Sequence, residues 1–415
     1  MKKALLQLLL AGLVALAACQ TDKKTSLRPG TWRAVIGSPG GELPFGLDLA
    51  QLNDTTFLVH ALNGSERLEL DTAHVRGDSL YVPIDIFDSE LVAAVGDSSL
   101  RGRYTRYNAG KWAYNLPFSA RYGQTFRFTP AKAQPAGDVS GNWAVTFRTE
   151  KDSTQAVGVF KQQGNELTGT FLTPTGDYRY LAGQVEGSEL KLSTFDGSHL
   201  YLFKAHLDSS RNGLSGEFWS GATGYKKWTA RRDDEAALPD ANALAYLRKG
   251  YDRIDFTFPD LTGKPVSLRD PKFRNKVVVV QIMGSWCPNC MDETKFLAPW
   301  YEKNKARGVE IVGLSYEKVP TLEASGPKLE RMKKRLGVGY DVLLAGFHTT
   351  DSVAASLPMI EKVLAFPTTI FIDKRGKVRR IHTGFSGPGT GKYYDEFVEE
   401  FNQFMDKLLA EGPSA

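Results

Sequence analysis

The chain has 415 residues, a formal net charge of +5, 42% hydrophobic residues and three cysteines. That content can fill two or three hydrophobic cores, and three cysteines are too few for a disulfide-stapled scaffold. The near-neutral balance, without a Lys/Arg block, gives no case for nucleic-acid binding or a polybasic membrane patch.

Lys2 and Lys3 precede an apolar run from Ala4 to Ala18 that only Gln7 interrupts. It is too short for a comfortable membrane span and has the form of a signal-peptide core. The run ends in Leu16-Ala17-Ala18-Cys19, which resembles the bacterial lipobox. That resemblance implies cleavage before Cys19 and lipid attached to it. Residues 1–18 are therefore expected to be a lipoprotein signal peptide, and Cys19 the acylated first residue. Losing two lysines and no acids lowers the formal charge from +5 to +3. Residues 19–28 lack apolar periodicity and read as a tether.

Residues 29–232 read as all-β. Short alternating runs such as Thr56-Phe57-Leu58-Val59-His60 and Ser79-Leu80-Tyr81-Val82 are punctuated by Gly, Asn, Asp and Ser. An internal repeat runs through them. Gly30-Thr31-Trp32 is echoed by Gly141-Asn142-Trp143, Ile86-Phe87-Asp88-Ser89 by Thr194-Phe195-Asp196-Gly197, Leu100-Arg101-Gly102-Arg103-Tyr104 by Leu214-Ser215-Gly216-Glu217-Phe218, and Phe118-Ser119-Ala120-Arg121 by Trp228-Thr229-Ala230-Arg231. The offsets are 111, 108, 114 and 110 residues. Four echoes in one order predict a duplicated module, 29–132 and 137–232, each an up-and-down barrel or a curled meander. The Gly-x-Trp openings resemble those of lipocalin-type barrels. Trp32 and Trp143 are expected to plug the barrel bottoms; a ligand cavity is the other reading.

Residues 233–250 change composition, and Asp240 is placed to cap a linker helix from Ala241 to Lys249. Residues 251–411 read α/β. Asp255–Pro259 and Pro265–Leu268 predict a hairpin, and Val277–Ile282 and Val309–Leu314 predict buried strands. Helices are expected from Cys290 to about Lys305, Lys328 to Leu336, Ser352 to Val363 and Tyr393 to Leu409, with strands at Asp341–Ala345, Thr368–Asp373 and Lys377–His382.

Trp286-Cys287-Pro288-Asn289-Cys290 directly follows the Val277–Ile282 run. A strand leading into Cys-x-x-Cys and then a helix suits reversible thiol–disulfide chemistry. Two intervening residues let the sulfurs meet across one turn. Unpaired N–H groups and the helix dipole stabilise a thiolate on the first cysteine, and Pro288 fits a first-turn position. Cys287 is thus the expected nucleophile and Cys290 the resolving thiol. A zinc site would need a second pair of ligands; no cysteine remains for one and the six histidines are scattered, so no metal is expected. An inert disulfide closing so short a loop would be a poor staple.

Residues 251–411 resemble the TlpA/ResA branch of the thioredoxin-like proteins, bacterial membrane-anchored thiol–disulfide oxidoreductases. The likeness rests on Phe258-Pro259-Asp260-Leu261-Thr262-Gly263-Lys264, Trp286-Cys287-Pro288-Asn289-Cys290, Phe366-Pro367-Thr368 and Phe371-Ile372-Asp373-Lys374-Arg375-Gly376. It implies a thioredoxin-like α/β fold for these residues; with the duplicated barrel-like region before them, which lies outside the resemblance, the expected chain is α+β and multidomain. It also implies a cis-proline at Pro367 facing the cysteines, with Phe366 before it in contact with substrate. Trp286, Pro288 and Asn289 are the other expected substrate contacts. Glu293 matches the family glutamate three residues after the second cysteine, a spacing that puts it on one helical face with Cys290, where a carboxylate could take the thiol proton. Two departures stand out: Thr294 follows this glutamate where relatives often carry proline, and Gln281 occupies the place of thioredoxin's buried acid.

The expected activity is disulfide reduction without a cofactor, on protein disulfide substrates, in the bacterial cell envelope facing the periplasm. A membrane thiol protein would re-reduce the pair. An oxidase or isomerase would use the same residues. A thiol peroxidase is disfavoured by the Cys-x-x-Cys spacing. The β modules could instead bind a ligand or partner, with the redox domain accessory.

Overall fold

The computed structural model describes residues 27–130 and 133–412. The leader, Cys19 and most of the tether lie outside the described residues.

The alternating runs and their turns form two barrels. In the first, eight antiparallel strands run from Gly30–Ser38 to Lys111–Tyr122, and the last returns to the first with Phe118 opposite Ile36. Strand Thr56–Asn63 buries every second residue, as a pleat with one face on a core requires. In the second, Gly141–Arg148 pairs with both Ser153–Gln163 and Gly224–Arg232, while Ser153–Gln163 pairs onward with Glu166–Thr173, so this sheet also closes on itself. Closure leaves few exposed edges. Rings fill the second interior: Phe171 lies 4.7 Å from Phe203, which stacks on Phe218 at 4.4 Å, with Phe147 and Trp228 against them.

The sequence repeat is a repeat of structure. Trp32 and Trp143 are fully buried, and each indole donates to the carbonyl four residues upstream, Arg28 O at 3.1 Å and Val139 O at 2.9 Å. Gly102 and Gly216 sit at matching strand crossings, where a Cβ would fall 1.9 Å from Val92 O and 2.0 Å from Lys204 O. The Trp32 bond corrects the tether boundary. Arg28 supplies the indole acceptor and Leu27 is buried in the same core, so both belong to the first barrel.

The barrels dock closely. Phe195 of the second packs 4.6 Å from Phe45 and 5.6 Å from Tyr104 of the first. Its backbone carbonyl accepts from Asn63, and the Gly197 carbonyl accepts from Ser89.

No helix forms over 241–249. Asp240 accepts the Asn242 N–H in a local turn, and the backbone beyond it bonds to the C-terminal domain: Thr383 N–H donates to Ala241 O, Glu361 N–H to Tyr246 O, and Arg248 N–H to Met359 O. A nine-residue helix is marginal by itself, and these long-range bonds replace it.

The C-terminal domain is a five-stranded sheet in the order Asp341–Phe347, Val309–Glu317, Val277–Met283, Thr368–Ile372, Val378–Thr383. The first three strands are parallel; the last two pair antiparallel with their neighbours. Val277–Met283 is buried throughout, as its unbroken apolar run dictates. Four helices pack around it: α1 (Pro288–Asn304), α2 (Leu322–Leu336), α3 (Thr350–Ser356) and α4 (Lys392–Ala410). Two differ from expectation. α2 begins six residues early because Thr321 caps it through the Ala324 N–H, and Pro327 is accommodated within it. α3 stops at Ser356 because Pro358 follows Leu357, and a residue before proline disfavours the helical region; Leu357 sits at φ −124° and ψ 65°. α4 lays Phe401 and Leu408 on the core, with Phe401 edge-on to Trp300 of α1 at 5.0 Å. α2 also meets the first barrel, where Lys328 reaches Asp88 at 3.1 Å and Arg335 donates to Leu70 O at 3.0 Å.

Candidate active site

Strand Val277–Met283 delivers the chain through Gly284-Ser285-Trp286 to the start of α1. Cys287 is the N-cap, with Pro288 in the first turn, and its sulfur accepts the Cys290 N–H at 3.3 Å. An N-cap acceptor satisfies a donor that the helix leaves unpaired. Cys287 is 6% exposed and Cys290 fully buried. The Phe366–Pro367 peptide is cis, and the Phe366 carbonyl lies 3.5 Å from Cys287 Sγ. Trp286 borders the pair, with its indole donating to Tyr316 O at 2.9 Å and its ring edge-on to Phe366 at 5.3 Å.

Behind the cysteines lies a buried polar cluster. Glu293 is 1% exposed; Thr369 Oγ1 donates to one carboxylate oxygen at 2.6 Å and Gln281 Nε2 to the other at 2.7 Å. Thr294 Oγ1 bridges Gln281 Oε1 and the Cys290 carbonyl. Burial pushes the Glu293 carboxyl up to about 7, against the pull of its two hydrogen bonds. Burial, then the hydrogen bond to Cys287, pushes the Cys290 thiol up, and the Glu293 charge adds to that. The two departures noted in the sequence, Gln281 and Thr294, are thus the groups that orient Glu293 and the helix turn bearing Cys290.

The second barrel covers this site. Asn289 Nδ2 donates to Asp177 O at 3.2 Å. Gly176 approaches so closely that a Cβ there would lie 2.6 Å from Asn289 Nδ2, and its φ of +133° favours glycine in any case. Asp177 Oδ2 accepts the Gly387 N–H at 2.6 Å, from the loop before α4. Pro288 and Asn289, expected to touch substrate, are therefore buried against the second barrel. That cover arises from contacts between distant segments, which the motif does not encode. Trp286 and Phe366, with the remaining edges of Pro288 and Asn289, border an open space beside Cys287.

Arg179 fastens the cover. Its guanidinium is 3% exposed; it bonds Asp292 of α1, reaches Glu66 of the first barrel at 2.5 Å, and lies 3.1 Å from Asp196 of its own barrel. Burial alone would raise the Asp196 carboxyl, but His199 and Arg179 hold it well below the ordinary range. Asp88 and Asp196, at equivalent places in the repeat, both pair with cations, Lys328 and Arg179 respectively. The echoed Phe-Asp pair was the one sequence signal pointing to this network; nothing in the sequence pointed to Arg179 or Asp177.

The fold and the dithiol at a helix N-terminus define the class, and comparison with known proteins agrees. Residues 250–381 match the AhpC/TSA family. Thiol-disulfide oxidoreductase ResA of Bacillus subtilis is 30% identical over 138 residues, 33% of this chain and 69% of that protein. ResA of Halalkalibacterium halodurans is 27% identical over 155 residues, 37% of this chain and 76% of that one. A thioredoxin-family thiol:disulfide interchange protein from Chlorobium tepidum TLS is 19% identical, with a TM-score of 0.30, covering 39% of this chain and 99% of that one. Through its C-terminal domain the chain belongs to the ResA-type thioredoxin-like thiol–disulfide oxidoreductases.

Two expected outcomes follow from the buried charges. Arg179→Ala strands three carboxylates and should cost about 3–5 kcal/mol in urea unfolding, with faster alkylation of Cys287 as the cover loosens; unchanged stability and alkylation would contradict the fastening role. Glu293 ionises near 4.5 when unfolded but near about 7 when folded. The folded state therefore holds the proton more tightly between those values, and stability falls as pH rises through them. Glu293→Gln should match the wild type at pH 4 and exceed it at pH 8, by up to about 3 kcal/mol. A difference independent of pH would refute the buried, neutral-leaning carboxyl.

Proposed function

We propose that the chain is a lipid-anchored disulfide reductase of the bacterial cell envelope, facing the periplasm and working through its Cys-Pro-Asn-Cys dithiol. The observation that carries the reading is the pairing of a partly accessible Cys287 with a sealed Cys290 backed by Glu293. Cys287 thiolate attacks a substrate disulfide; a Cys287–substrate disulfide forms and one substrate thiolate leaves. Glu293 takes the Cys290 proton as that sulfur attacks Cys287 Sγ. The Cys287–Cys290 disulfide forms, and the second substrate thiolate departs. A carboxyl poised near neutrality suits that proton transfer. Exported proteins are the proposed substrates, and a membrane thiol protein the donor that restores the dithiol. The leader pattern and Cys19 support the lipid anchor.

An oxidase or isomerase running the same residues in reverse is the alternative. A ligand-binding role for the barrels with an accessory redox domain is less well supported, because the second barrel packs directly on the cysteine helix.

Acid quenching of cells followed by alkylation reads the direction. The pair should be trapped mostly as thiols, and Cys290→Ser should accumulate mixed disulfides on Cys287. A pair trapped mostly as disulfide would instead assign an oxidase.

A further inference from the structure

Cys287 borders a half-open space of about 290 Å³. Three modules line it: Arg106 from the first barrel, residues 173 and 175–178 with Ser198, His199 and Tyr201 from the second, and Trp286 to Asn289, Lys318 and Phe366 from the redox domain. Its volume is at the lower end for a small-molecule site.

The lining is cationic. Arg106 Nη1 is buried and has no hydrogen-bond acceptor among the described residues, although the guanidinium borders the Tyr104 hydroxyl. Lys318 shares the wall; its nearest carboxylate, Asp88 Oδ2, is 3.7 Å away and is also claimed by Lys328. The one acidic lining residue, Asp177, already accepts backbone N–H groups from Arg179 and Gly387. A buried guanidinium nitrogen without an acceptor is an unmet charge-assisted hydrogen bond, and its side chain lines the space beside Cys287.

We infer that this cavity binds a small disulfide bearing a carboxylate, with Arg106 and Lys318 anchoring the carboxylate and Cys287 Sγ attacking the disulfide. The inference rests on the thiol–disulfide reading and adds a substrate class to it. The protein dithiol supplies both electrons: one small disulfide becomes two small thiols, Cys287 and Cys290 become a disulfide, and the two thiol protons pass to the departing sulfurs.

The test uses the reduced full chain in detergent, with three reagents of similar size. Oxidation of the dithiol is timed with 3,3′-dithiodipropionate, 2-hydroxyethyl disulfide and cystamine, which are anionic, neutral and cationic. A thiolate in open solvent repels the dianion, so selection by the cavity reverses the ordinary order. The dianion should react about tenfold faster than the neutral reagent. Arg106→Gln should lower that ratio about tenfold, and Arg106→Glu should turn the preference towards cystamine. A dianion no faster than the neutral reagent, or a ratio unmoved in both variants, overturns the inference and leaves the thiol–disulfide reading intact. A dithiol that none of the three reagents oxidises overturns both.

Discussion

One buried guanidinium holds the three modules together at the redox centre. Arg179 carries its charge into a buried junction and meets Glu66, Asp196 and Asp292, each from a different part of the molecule. A charge so deeply buried survives only when it is paired and hydrogen-bonded. The junction therefore specifies one docking of the second barrel: any other would strand the cation or one of its acids. Arginine suits the role because its planar fork presents donors in several directions without losing its charge.

From that docking follows the enclosure of the cysteine pair. The segment around Arg179 brings Gly176 and Asp177 against Asn289 and the loop before α4. Cys287 then borders a small half-open cavity walled by all three modules. Behind it, Gln281 and Thr369 clamp Glu293 from two strands of the sheet. Cys287, Cys290 and Glu293 are each held by a different device: a helix N-cap, full burial, and a pair of side-chain donors.

Much of this was legible in the sequence, and the reason is range. The cysteine spacing, the Val277–Ile282 run and the Glu293 offset are local, and each sets its geometry within one or two turns of backbone. The barrel duplication was legible because it writes the same Gly-x-Trp and Leu-x-Gly patterns twice, and those residues serve the same packing in both copies. The cover was not legible: Arg179 lies 113 residues from both Glu66 and Asp292, and no periodicity links them. The linker was misread for the converse reason. Asp240 has the chemistry of a helix cap, but its carboxylate closes a turn, and the following backbone takes its partners from residues more than a hundred positions away.

The account's central claim is that this enclosed pair delivers electrons to substrates. The most direct test is its reduction potential, from equilibration in graded thiol/disulfide buffers with free thiols counted by alkylation. A reductase predicts a value of about −270 mV or lower. A value towards about −120 mV would contradict it and make the pair an oxidant.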